Sequence, residues 1–404
     1  MRVEIKAGTA RGTVNAPPSK SVAHRLLICS ALADGVSEIY GLSDCDDVRA
    51  TVSALSALGV KITVTDGKAT VYGKPPKYMT PDGPLFCGES GSTLRFILPI
   101  ALLPGKTVML RGKEGLMRRP MEIYENICRA GGLIYVKDGD SITVKGPLKS
   151  GVFNLPGNVS SQFISGLLFA LPHLTGDSKI SITPPIESKP YIDMTIDALR
   201  QFGVCIKWTD ECTLFIKGEQ KFMPTSLSVE GDYSGSAFID ALGALGGEVN
   251  VLGLREDTLQ GDSVYKRYYK LFEGGVPTVH LGNCPDLGPI LFALAAARCG
   301  GIFTGTKRLK IKESDRAAVM AAELKKFGTA VSVYEDKVVV YPADFHKPCE
   351  SLEGHGDHRI VMALSVLLTL TGGEIRGSEA ISKSYPEFFN DLRALGIEVN
   401  EYED

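Results

Sequence analysis

The sequence predicts an α/β protein in which six similar units pack as two globular halves of three. The first observation is an apolar segment with an Ala-Leu pair that recurs along the chain. The pairs begin at residues 31, 101, 170, 241, 293 and 363, so successive spacings are 70, 69, 71, 52 and 70 residues. The second is the glycine content, 44 of 404 residues, which supplies the turns of a repeated array. Similarity at a fixed period is typical of repeated supersecondary units.

The first unit shows the predicted order of elements. A helix begins near Lys20 and runs into the Ala-Leu pair, and a strand follows at residues 37–40. A second helix ends at Gly59, because glycine suits the left-handed position that closes a helix. The β-branched residues after it predict another strand. Each unit therefore combines two helices with short strands.

The other five units are predicted to close in the same way. Their closing glycines are Gly131 with Gly132, Gly203, Gly274 with Gly275, Gly328, and Gly396. Segments 163–169 and 360–368 are apolar on most faces, which predicts that the first helix of each unit is buried. The second helix is amphipathic and is predicted to cover the outside.

Turn residues indicate where the chain passes between the two halves. Residues 16–19 are Ala-Pro-Pro-Ser and residues 229–232 are Val-Glu-Gly-Asp, and both interrupt the repeat. We expect hinges at these segments. The strand at residues 3–6 precedes the first hinge, so we expect it to join the C-terminal half.

The charge balance and hydropathy exclude several classes of protein. Lys and Arg total 44 and Asp and Glu total 47, which leaves a net charge of −3 and no basic excess for nucleic acid. No apolar run approaches the roughly 18 residues needed to span a bilayer. The N-terminus alternates like a strand and lacks a secretory signal. We therefore expect a cytoplasmic protein with no nucleic-acid or membrane partner.

Cysteine and histidine give weak signals for metal or disulfide chemistry. The nine cysteines are scattered, with no pair at two-residue spacing, so buried reduced thiols are the preferred interpretation. His355 and His358 have a spacing that two metal ligands can use, but a lone pair is weak support. No metal is predicted.

The starts of the buried helices carry small hydroxyl and acidic residues, for which N-capping is the simplest explanation. Capping does not explain Lys20, Arg25, Arg95 and Arg359, because the helix dipole disfavours cations in a first turn unless an anion binds there. More cations stand at the starts of the second helices. These are Arg119, Lys312, Arg316 and Lys383. We expect these groups to converge on a small polyanionic ligand.

Common nucleotide and hydrolase motifs are absent. Segment 88–92 lacks the Lys of a Walker loop and the final Gly of a nucleophile elbow. No dinucleotide fingerprint follows the first strand.

Nine motifs in one order make a more specific pattern. They are Pro18-Ser19-Lys20-Ser21 with Arg25, Gly91 with Arg95, Arg119-Pro120, Ser160-Ser161-Gln162-Phe163, Ser188-Lys189-Pro190-Tyr191-Ile192-Asp193, Glu230-Gly231-Asp232, Lys312-Glu313-Ser314-Asp315-Arg316, Asp357-His358-Arg359, and Lys383 before Tyr385-Pro386. Across essentially the whole chain, the sequence resembles the enolpyruvyl transferases. The resemblance is strongest to members whose acceptor is shikimate 3-phosphate.

The resemblance implies a two-domain inside-out α/β barrel fold, built from six βαβαββ repeats with three in each domain. Residues 1–17 and 230–404 would form the phosphoenolpyruvate side, and residues 18–229 the shikimate 3-phosphate side. It further implies transfer of an enolpyruvyl group from phosphoenolpyruvate to the 5-hydroxyl of shikimate 3-phosphate, through a tetrahedral intermediate that releases phosphate. No metal or organic cofactor is implied, and a monomer is expected.

The resemblance also implies roles for individual residues. The implied shikimate 3-phosphate ligands are Lys20, Ser21, Arg25, Ser160, Ser161, Gln162, Ser188, Tyr191, Asp286 and Lys312. The implied phosphoenolpyruvate ligands are Lys20, Gly91, Arg119, Gln162, Arg316, Arg359 and Lys383. The implied catalytic residues are Asp286, Glu313 and Lys20.

Two departures and two alternatives accompany this hypothesis. Glu89-Ser90-Gly91-Ser92 stands where many members have Asn-Ala-Gly-Thr, and Phe96 stands where some have Pro. Gly91 keeps the position without a side chain that glyphosate-sensitive members show. The alternatives are a transferase for UDP-N-acetylglucosamine, disfavoured because residues 111–120 contain no Cys, and a non-catalytic protein that binds phosphorylated metabolites.

Overall fold

The computed structural model describes residues 1–403, which divide into two compact units. The interrupted unit contains Met1–Ser19 and the chain from Gly231 onward, and the continuous unit contains Lys20–Glu230. Each unit has its own hydrophobic core.

Thirteen α-helices and twenty-two strands lie in the described residues. The helices are α1 Lys20–Leu32, α2 Asp46–Ala57, α3 Gly91–Ala101, α4 Glu114–Met117, α5 Glu122–Ala130, α6 Ser161–Ala170, α7 Lys189–Gln201, α8 Tyr233–Ala244, α9 Tyr265–Leu271, α10 Gly288–Ala297, α11 Arg316–Lys325, α12 His358–Thr371 and α13 Phe388–Ala394. The strands are β1 Arg2–Ile5, β2 Arg11–Asn15, β3 Gly35–Tyr40, β4 Lys61–Thr65, β5 Lys68–Gly73, β6 Leu85–Phe86, β7 Thr107–Arg111, β8 Ile134–Asp138, β9 Ser141–Lys145, β10 Val152–Pro156, β11 Ser178–Thr183, β12 Ile206–Trp208, β13 Thr213–Ile216, β14 Ser226–Ser228, β15 Glu248–Leu252, β16 Thr278–His280, β17 Gly301–Thr304, β18 Val331–Val333, β19 Lys337–Val340, β20 Leu352–Glu353, β21 Gly373–Arg376 and β22 Val399–Tyr402.

Five of the six described sheets have four strands arranged on one plan. In the sheet of β10 to β13, β10 and β11 are parallel and are joined by the buried helix α6, while β13 pairs antiparallel with both β11 and β12. The amphipathic helix α7 connects β11 to β12. This is the predicted βαβαββ repeat.

Each unit completes one sheet with a strand from its opposite end. β14 pairs parallel with β3, so the last strand of the continuous unit completes the sheet of its first helix. β1 pairs antiparallel with β21 and β22 in the interrupted unit. The prediction that the N-terminal strand joins the C-terminal half is therefore confirmed.

The fourth repeat is shorter than the sequence pattern indicated. Its sheet contains only the parallel strands β2 and β15 among the described residues. The segment after Gly275 forms a strand as predicted, β16, and this strand belongs to the next sheet, parallel to β17. Within the described residues, the fourth repeat therefore departs from the βαβαββ order that the resemblance implies. The missing hairpin explains why this one spacing is 52 residues rather than about 70.

The predicted division between buried and covering helices is confirmed. In α12 every residue from His358 to Thr369 is buried, whereas α2 buries only five of its twelve residues. The helix-closing glycines also behave as expected, since Gly59, Gly132, Gly203 and Gly396 have φ between +65° and +91°. The buried helices and the closing glycines of the repeats therefore follow the pattern that the sequence predicts.

Three other features bear on the earlier predictions. The nine cysteines are free thiols, of which Cys29, Cys45, Cys87, Cys128 and Cys284 are buried as predicted, whereas Cys205 and Cys349 are exposed. Within residues 1–403, no helix is both long enough and apolar enough to cross a bilayer. The same residues include no cluster of three or more His, Cys, Asp or Glu side chains suited to a metal ion.

Candidate active site

The starts of four buried helices are capped by their own side chains. Ser90, Ser160, Asp232 and Asp357 each accept a hydrogen bond from a backbone N–H in the first turn of α3, α6, α8 and α12, respectively. The capping interpretation is confirmed at these positions. The cations near these helix starts contact other side chains and backbone carbonyls. These contacts form two clusters, one in each compact unit.

The first cluster lies in the interrupted unit and centres on Asp286. This residue occupies a single 3-10 turn, Pro285–Leu287, directly before α10. One carboxylate oxygen, Oδ1, is 3.0 Å from Lys312 Nζ and 2.7 Å from Arg316 Nη1. The other oxygen, Oδ2, is 3.5 Å from Arg359 Nη2. Three cations from different segments therefore meet at one carboxylate.

Arg316 joins Asp286 to two further carboxylates. Its Nη2 is 2.6 Å from Glu313 Oε2, and its Nε is 2.8 Å from Asp357 Oδ2. The Arg316 side chain is only 1% exposed. Asp357 also caps α12, so this single guanidinium links the start of α11 to the start of α12.

The electrostatics of this cluster keep Asp286 ionised. Burial alone raises the pKa of the Asp286 carboxyl, but Lys312, Arg359 and Arg316 outweigh it and hold the pKa well below its ordinary value of 3.8. Burial lowers the pKa of Lys312, against the opposing effect of Asp286. Burial also disfavours charged Arg316, but Asp357, Glu313 and Asp286 raise its pKa above the ordinary range. Asp286 is therefore a carboxylate at neutral pH.

Lys383 and Arg359 are held by backbone oxygens at neighbouring helix starts. Lys383 Nζ donates to the Gly356 carbonyl, directly before the residue that caps α12. Arg359 Nη1 donates to the Ser234 carbonyl in the first turn of α8 at 3.0 Å. These contacts place both cations where helix N-terminal N–H groups also favour an anion.

The second cluster lies in the continuous unit, and one part of it is built around Arg25. Its guanidinium donates to the carbonyl of Ser21 at 2.6 Å, to the carbonyl of Tyr191 at 2.8 Å and to the hydroxyl of Thr195 at 2.9 Å. Tyr191 in turn donates its backbone N–H to the Ser188 carbonyl. Burial lowers the pKa of Arg25 to about 10, so it stays protonated at neutral pH. Four residues predicted to bind shikimate 3-phosphate are thus brought together.

The other part surrounds the first turn of α3. A Cβ added to Gly91 would lie 2.9 Å from Arg119 Nη1 and 3.5 Å from Gln162 Oε1. Gln162 donates to Ser92 Oγ at 3.0 Å and accepts from Arg95 Nη1 at 2.8 Å. The predicted phosphoenolpyruvate ligands Gly91, Arg119 and Gln162 are therefore neighbours.

Lys20, the first residue of α1, pairs with Asp47 in the first turn of α2 at 2.9 Å. The remaining predicted ligands, Ser160 and Ser161, lie at the start of α6. Of the three predicted catalytic residues, Lys20 belongs to the continuous unit, and Asp286 and Glu313 to the interrupted unit.

Sequence reasoning missed the contributions of Asp47 and Asp357, and it expected Arg95 to face an anionic ligand without predicting its contact with Gln162. An acidic residue in a first turn has a sufficient local explanation in capping and the helix dipole, so neither aspartate carried a separate signal. The structure shows instead that Asp47 pairs with Lys20, Asp357 with Arg316, and Arg95 with Gln162.

The weak metal signal has a different explanation. His355 Nε2 lies 3.0 Å from Glu323 Oε1, and Glu323 also accepts from the Glu353 backbone N–H. The contact between His355 and Glu323 therefore holds the loop before α12 against α11.

Comparison with known proteins identifies the family and the fold. The family model for EPSP synthase (3-phosphoshikimate 1-carboxyvinyltransferase) matches residues 6–392. The chain belongs to the EPSP synthase family. The 3-phosphoshikimate 1-carboxyvinyltransferase of Clostridium kluyveri is 38% identical over 99% of this chain and 98% of its own length. That of Clostridium acetobutylicum is 40% identical over the same shares.

Solved structures of the EPSP synthase family agree. The 2.37 Å structure of EPSP synthase from Acinetobacter baumannii matches with a TM-score of 0.79 and 25% identity, covering 99% of this chain and 100% of that one. The predicted fold class, the two-domain inside-out α/β fold of this family, is confirmed. Members of the EPSP synthase family transfer an enolpyruvyl group from phosphoenolpyruvate to shikimate 3-phosphate in the shikimate pathway, and this chain is a transferase of that kind.

The depressed pKa of Asp286 predicts a pH-dependent stability. A carboxyl whose pKa is lower in the folded state than in the unfolded state stabilises the fold above its ordinary pKa, and this contribution is lost as pH falls through the folded-state value. We expect Asp286→Asn to be less stable than wild type at pH 7, with the difference shrinking below the ordinary value of 3.8. Urea unfolding between pH 7 and pH 3 measures this difference.

The matched control for this experiment is Asp44→Asn. Asp44 pairs with Arg49 on the surface and its side chain is 86% exposed, so its removal should change the free energy of unfolding little at any pH. A stability difference for Asp286→Asn that is the same at pH 7 and pH 3 would contradict the electrostatic account.

Proposed function

We propose that this chain performs the transfer by addition and elimination, with Asp286, Glu313 and Lys20 as proton carriers. C3 of phosphoenolpyruvate gains a proton while the 5-hydroxyl of shikimate 3-phosphate loses one and attacks C2. The resulting tetrahedral ketal phosphate then loses phosphate. The main support is the Asp286 cluster, because one buried guanidinium joins two predicted proton carriers, Asp286 and Glu313.

The ionised state of Asp286 fits it to the acceptor hydroxyl. A carboxylate with a low pKa is a weak base, but it accepts a hydrogen bond strongly and so orients the O–H group. Protonation of C3 makes C2 electron-poor, and a weak base then suffices for the attack. Glu313 and Lys20 are proposed to supply and recover the protons of the addition and elimination steps.

We assign the binding of shikimate 3-phosphate to the hydroxyls and cations of the predicted set. Arg25 orders Ser21, Ser188 and Tyr191 through backbone contacts and remains charged despite its burial. Ser160 and Ser161 begin α6, where free N–H groups favour a phosphate. Lys20, Gln162, Asp286 and Lys312 complete the proposed set.

We assign phosphoenolpyruvate to a second set that is rich in arginine. Its members are Lys20, Gly91, Arg119, Gln162, Arg316, Arg359 and Lys383. Guanidinium groups bind phosphate and carboxylate with two parallel hydrogen bonds, and phosphoenolpyruvate carries both groups. The absence of a side chain at Gly91 lets Arg119 approach closely, since a Cβ there would lie 2.9 Å from Arg119 Nη1.

The remaining predictions complete the proposal. Residues 1–17 and 230–404 are proposed to form the phosphoenolpyruvate side and residues 18–229 the shikimate 3-phosphate side, with both residue sets serving one reaction. Proton transfers and fixed cations suffice for addition and elimination, so we propose that the reaction needs neither a metal nor an organic cofactor. We also propose that the protein is a monomer. The cytoplasm is its proposed location, consistent with nine free thiols.

Phosphate release tests the activity and the acceptor together. We expect the purified protein to release phosphate from phosphoenolpyruvate with shikimate 3-phosphate, and to release none with UDP-N-acetylglucosamine. Phosphate with the nucleotide sugar would reverse the acceptor assignment. Phosphate with neither acceptor would point to a non-catalytic binding protein.

Removal of one proton carrier tests the catalytic assignment. We expect Glu313→Gln to lower kcat by at least about 100-fold, because general acid and base groups typically contribute 10² to 10⁴, with a smaller change in KM. Steady-state kinetics with both substrates measure the changes in kcat and KM separately. The control Glu335→Gln removes an exposed carboxylate that pairs with Lys307 and should leave kcat unchanged. A Glu313→Gln protein with wild-type turnover would remove Glu313 from the mechanism.

A methyl group at Gly91 tests the placement of phosphoenolpyruvate. The new Cβ of Gly91→Ala meets Arg119 Nη1 at 2.9 Å, so Arg119 must move. We expect the KM for phosphoenolpyruvate to rise about tenfold, the scale of one methylene group in a fitted pocket, and inhibition by glyphosate to weaken. In the control Gly115→Ala, the added Cβ meets nothing within 4 Å. If kinetics and inhibition are unaffected in Gly91→Ala, the placement is wrong.

A further inference from the structure

Four buried polar side chains form a continuous hydrogen-bonded chain inside the continuous unit. His24 of α1 contacts Thr51 of α2 at 2.7 Å, Thr51 contacts Thr93 of α3 at 2.6 Å, and Thr93 donates to Ser90 at 2.8 Å. All four residues are 0% exposed. None has a role in the proposed chemistry, so their burial needs another explanation.

The order of donors along this chain follows from proton counting. A hydroxyl has one proton to donate, and that of Thr93 goes to Ser90. Thr51 must therefore donate to Thr93, and His24 Nδ1–H must donate to Thr51. Burial, together with Lys20 and Arg25, lowers the pKa of His24 well below its ordinary value. The imidazole is thus neutral, with its proton fixed on Nδ1.

Each member of the chain lies one helical turn or less from a proposed ligand or its partner. His24 follows Lys20 by four residues, and Thr51 follows Asp47 by four. Residues separated by four positions share a helix face, so the contact between His24 and Thr51 lies one turn beyond the ion pair of Lys20 and Asp47. At the other end, Ser90 caps α3 directly before Gly91.

Phe96 adds an apolar contact between α1 and α3. Its buried ring meets the His24 ring edge-on with centroids 6.5 Å apart. The Arg25 guanidinium carbon lies 5.2 Å from the centre of the same ring. The helix that carries Lys20 and Arg25 is therefore tied to the helix that carries Gly91 by both polar and apolar contacts.

We propose that His24, Thr51, Thr93 and Ser90 are positioning residues that fix the first turn of α3 for phosphoenolpyruvate binding. The inference rests on the proposed function, in which Gly91 and Arg119 bind phosphoenolpyruvate only and Lys20 and Gln162 contact both substrates. Removal of one buried hydroxyl leaves its neighbours without a partner, and the helix starts then shift to restore their hydrogen bonds. Gln162 contacts Ser92 in that turn, so such a shift reaches the proposed ligands.

Thr93→Val isolates the hydroxyl from the cap. Valine has nearly the same shape, and the backbone N–H of residue 93 still donates to Ser90 Oγ. We expect the KM for phosphoenolpyruvate to rise about tenfold, because displacements of an ångström in a binding site cost up to 100-fold. The KM for shikimate 3-phosphate should rise less, because Gln162 is the one ligand around this turn that the two substrates share, and Thr93→Ser should restore both wild-type values.

The control is Thr369→Val in α12. Thr369 is also buried and donates only to a carbonyl of its own helix, that of Val366. We expect it to lower the melting temperature as Thr93→Val does, while both KM values stay unchanged. If Thr93→Val lowers the melting temperature but leaves the KM for phosphoenolpyruvate at the wild-type value, the chain is structural and the proposal fails.

A second variant guards against misfolding of the first. Thr51→Val breaks the chain from α2 and leaves the contact between Thr93 and Ser90 intact. It should raise the same KM, and the double variant should raise it by less than the product of the two single effects. Independent, multiplying effects would contradict a single chain. Absence of turnover by the wild-type protein would instead overturn the proposed function on which the inference rests.

Discussion

The candidate site in the interrupted unit depends on one buried guanidinium. Arg316 has three carboxylate partners, Asp286, Glu313 and Asp357, and each sits at the end of a different local element. A buried charge is tolerated only when it is paired and hydrogen-bonded, and the planar fork of arginine can satisfy several oxygens at once. The turn before α10 and the starts of α11 and α12 are therefore held in one arrangement, with Asp286 kept ionised.

The repeated module explains why such clusters form. In four of the five four-stranded sheets the buried helix joins two parallel strands, so the starts of these helices occupy equivalent positions in their modules. The first turn of each such helix offers N–H groups without a partner in the helix, and arginine or lysine side chains lie near several of these turns. In the continuous unit the same principle gathers Gly91, Arg119 and Gln162 around α3, and Arg25 with Ser21 and Tyr191 beside α7.

Much of the fold was predictable because local sequence patterns determine where its helices begin and end. The Ala-Leu pair and the closing glycine of the first repeat predicted α1 and the end of α2 nearly to the residue, since apolar periodicity and glycine closure act locally. The sheet to which the strand after Gly275 belongs was not predictable, for the complementary reason. A short β-branched run after Gly275 has the same local appearance whether it closes one sheet or begins the next, and only the pairing of β16 with β17 decides.

The sequence by itself determined the family, the order of modules and the residue types of the site, because motif order and hydrophobic period survive without knowledge of distant contacts. Tertiary structure alone decided the partners. Asp47 looks like an ordinary first-turn acid and Asp357 like an ordinary N-cap, yet they pair with Lys20 and Arg316 across 27 and 41 residues of sequence. No local feature of the sequence predicts that His24, Thr51 and Thr93 form one hydrogen-bonded chain. A hydrogen bond is specified by positions in space, and those positions exist only after the helices have packed.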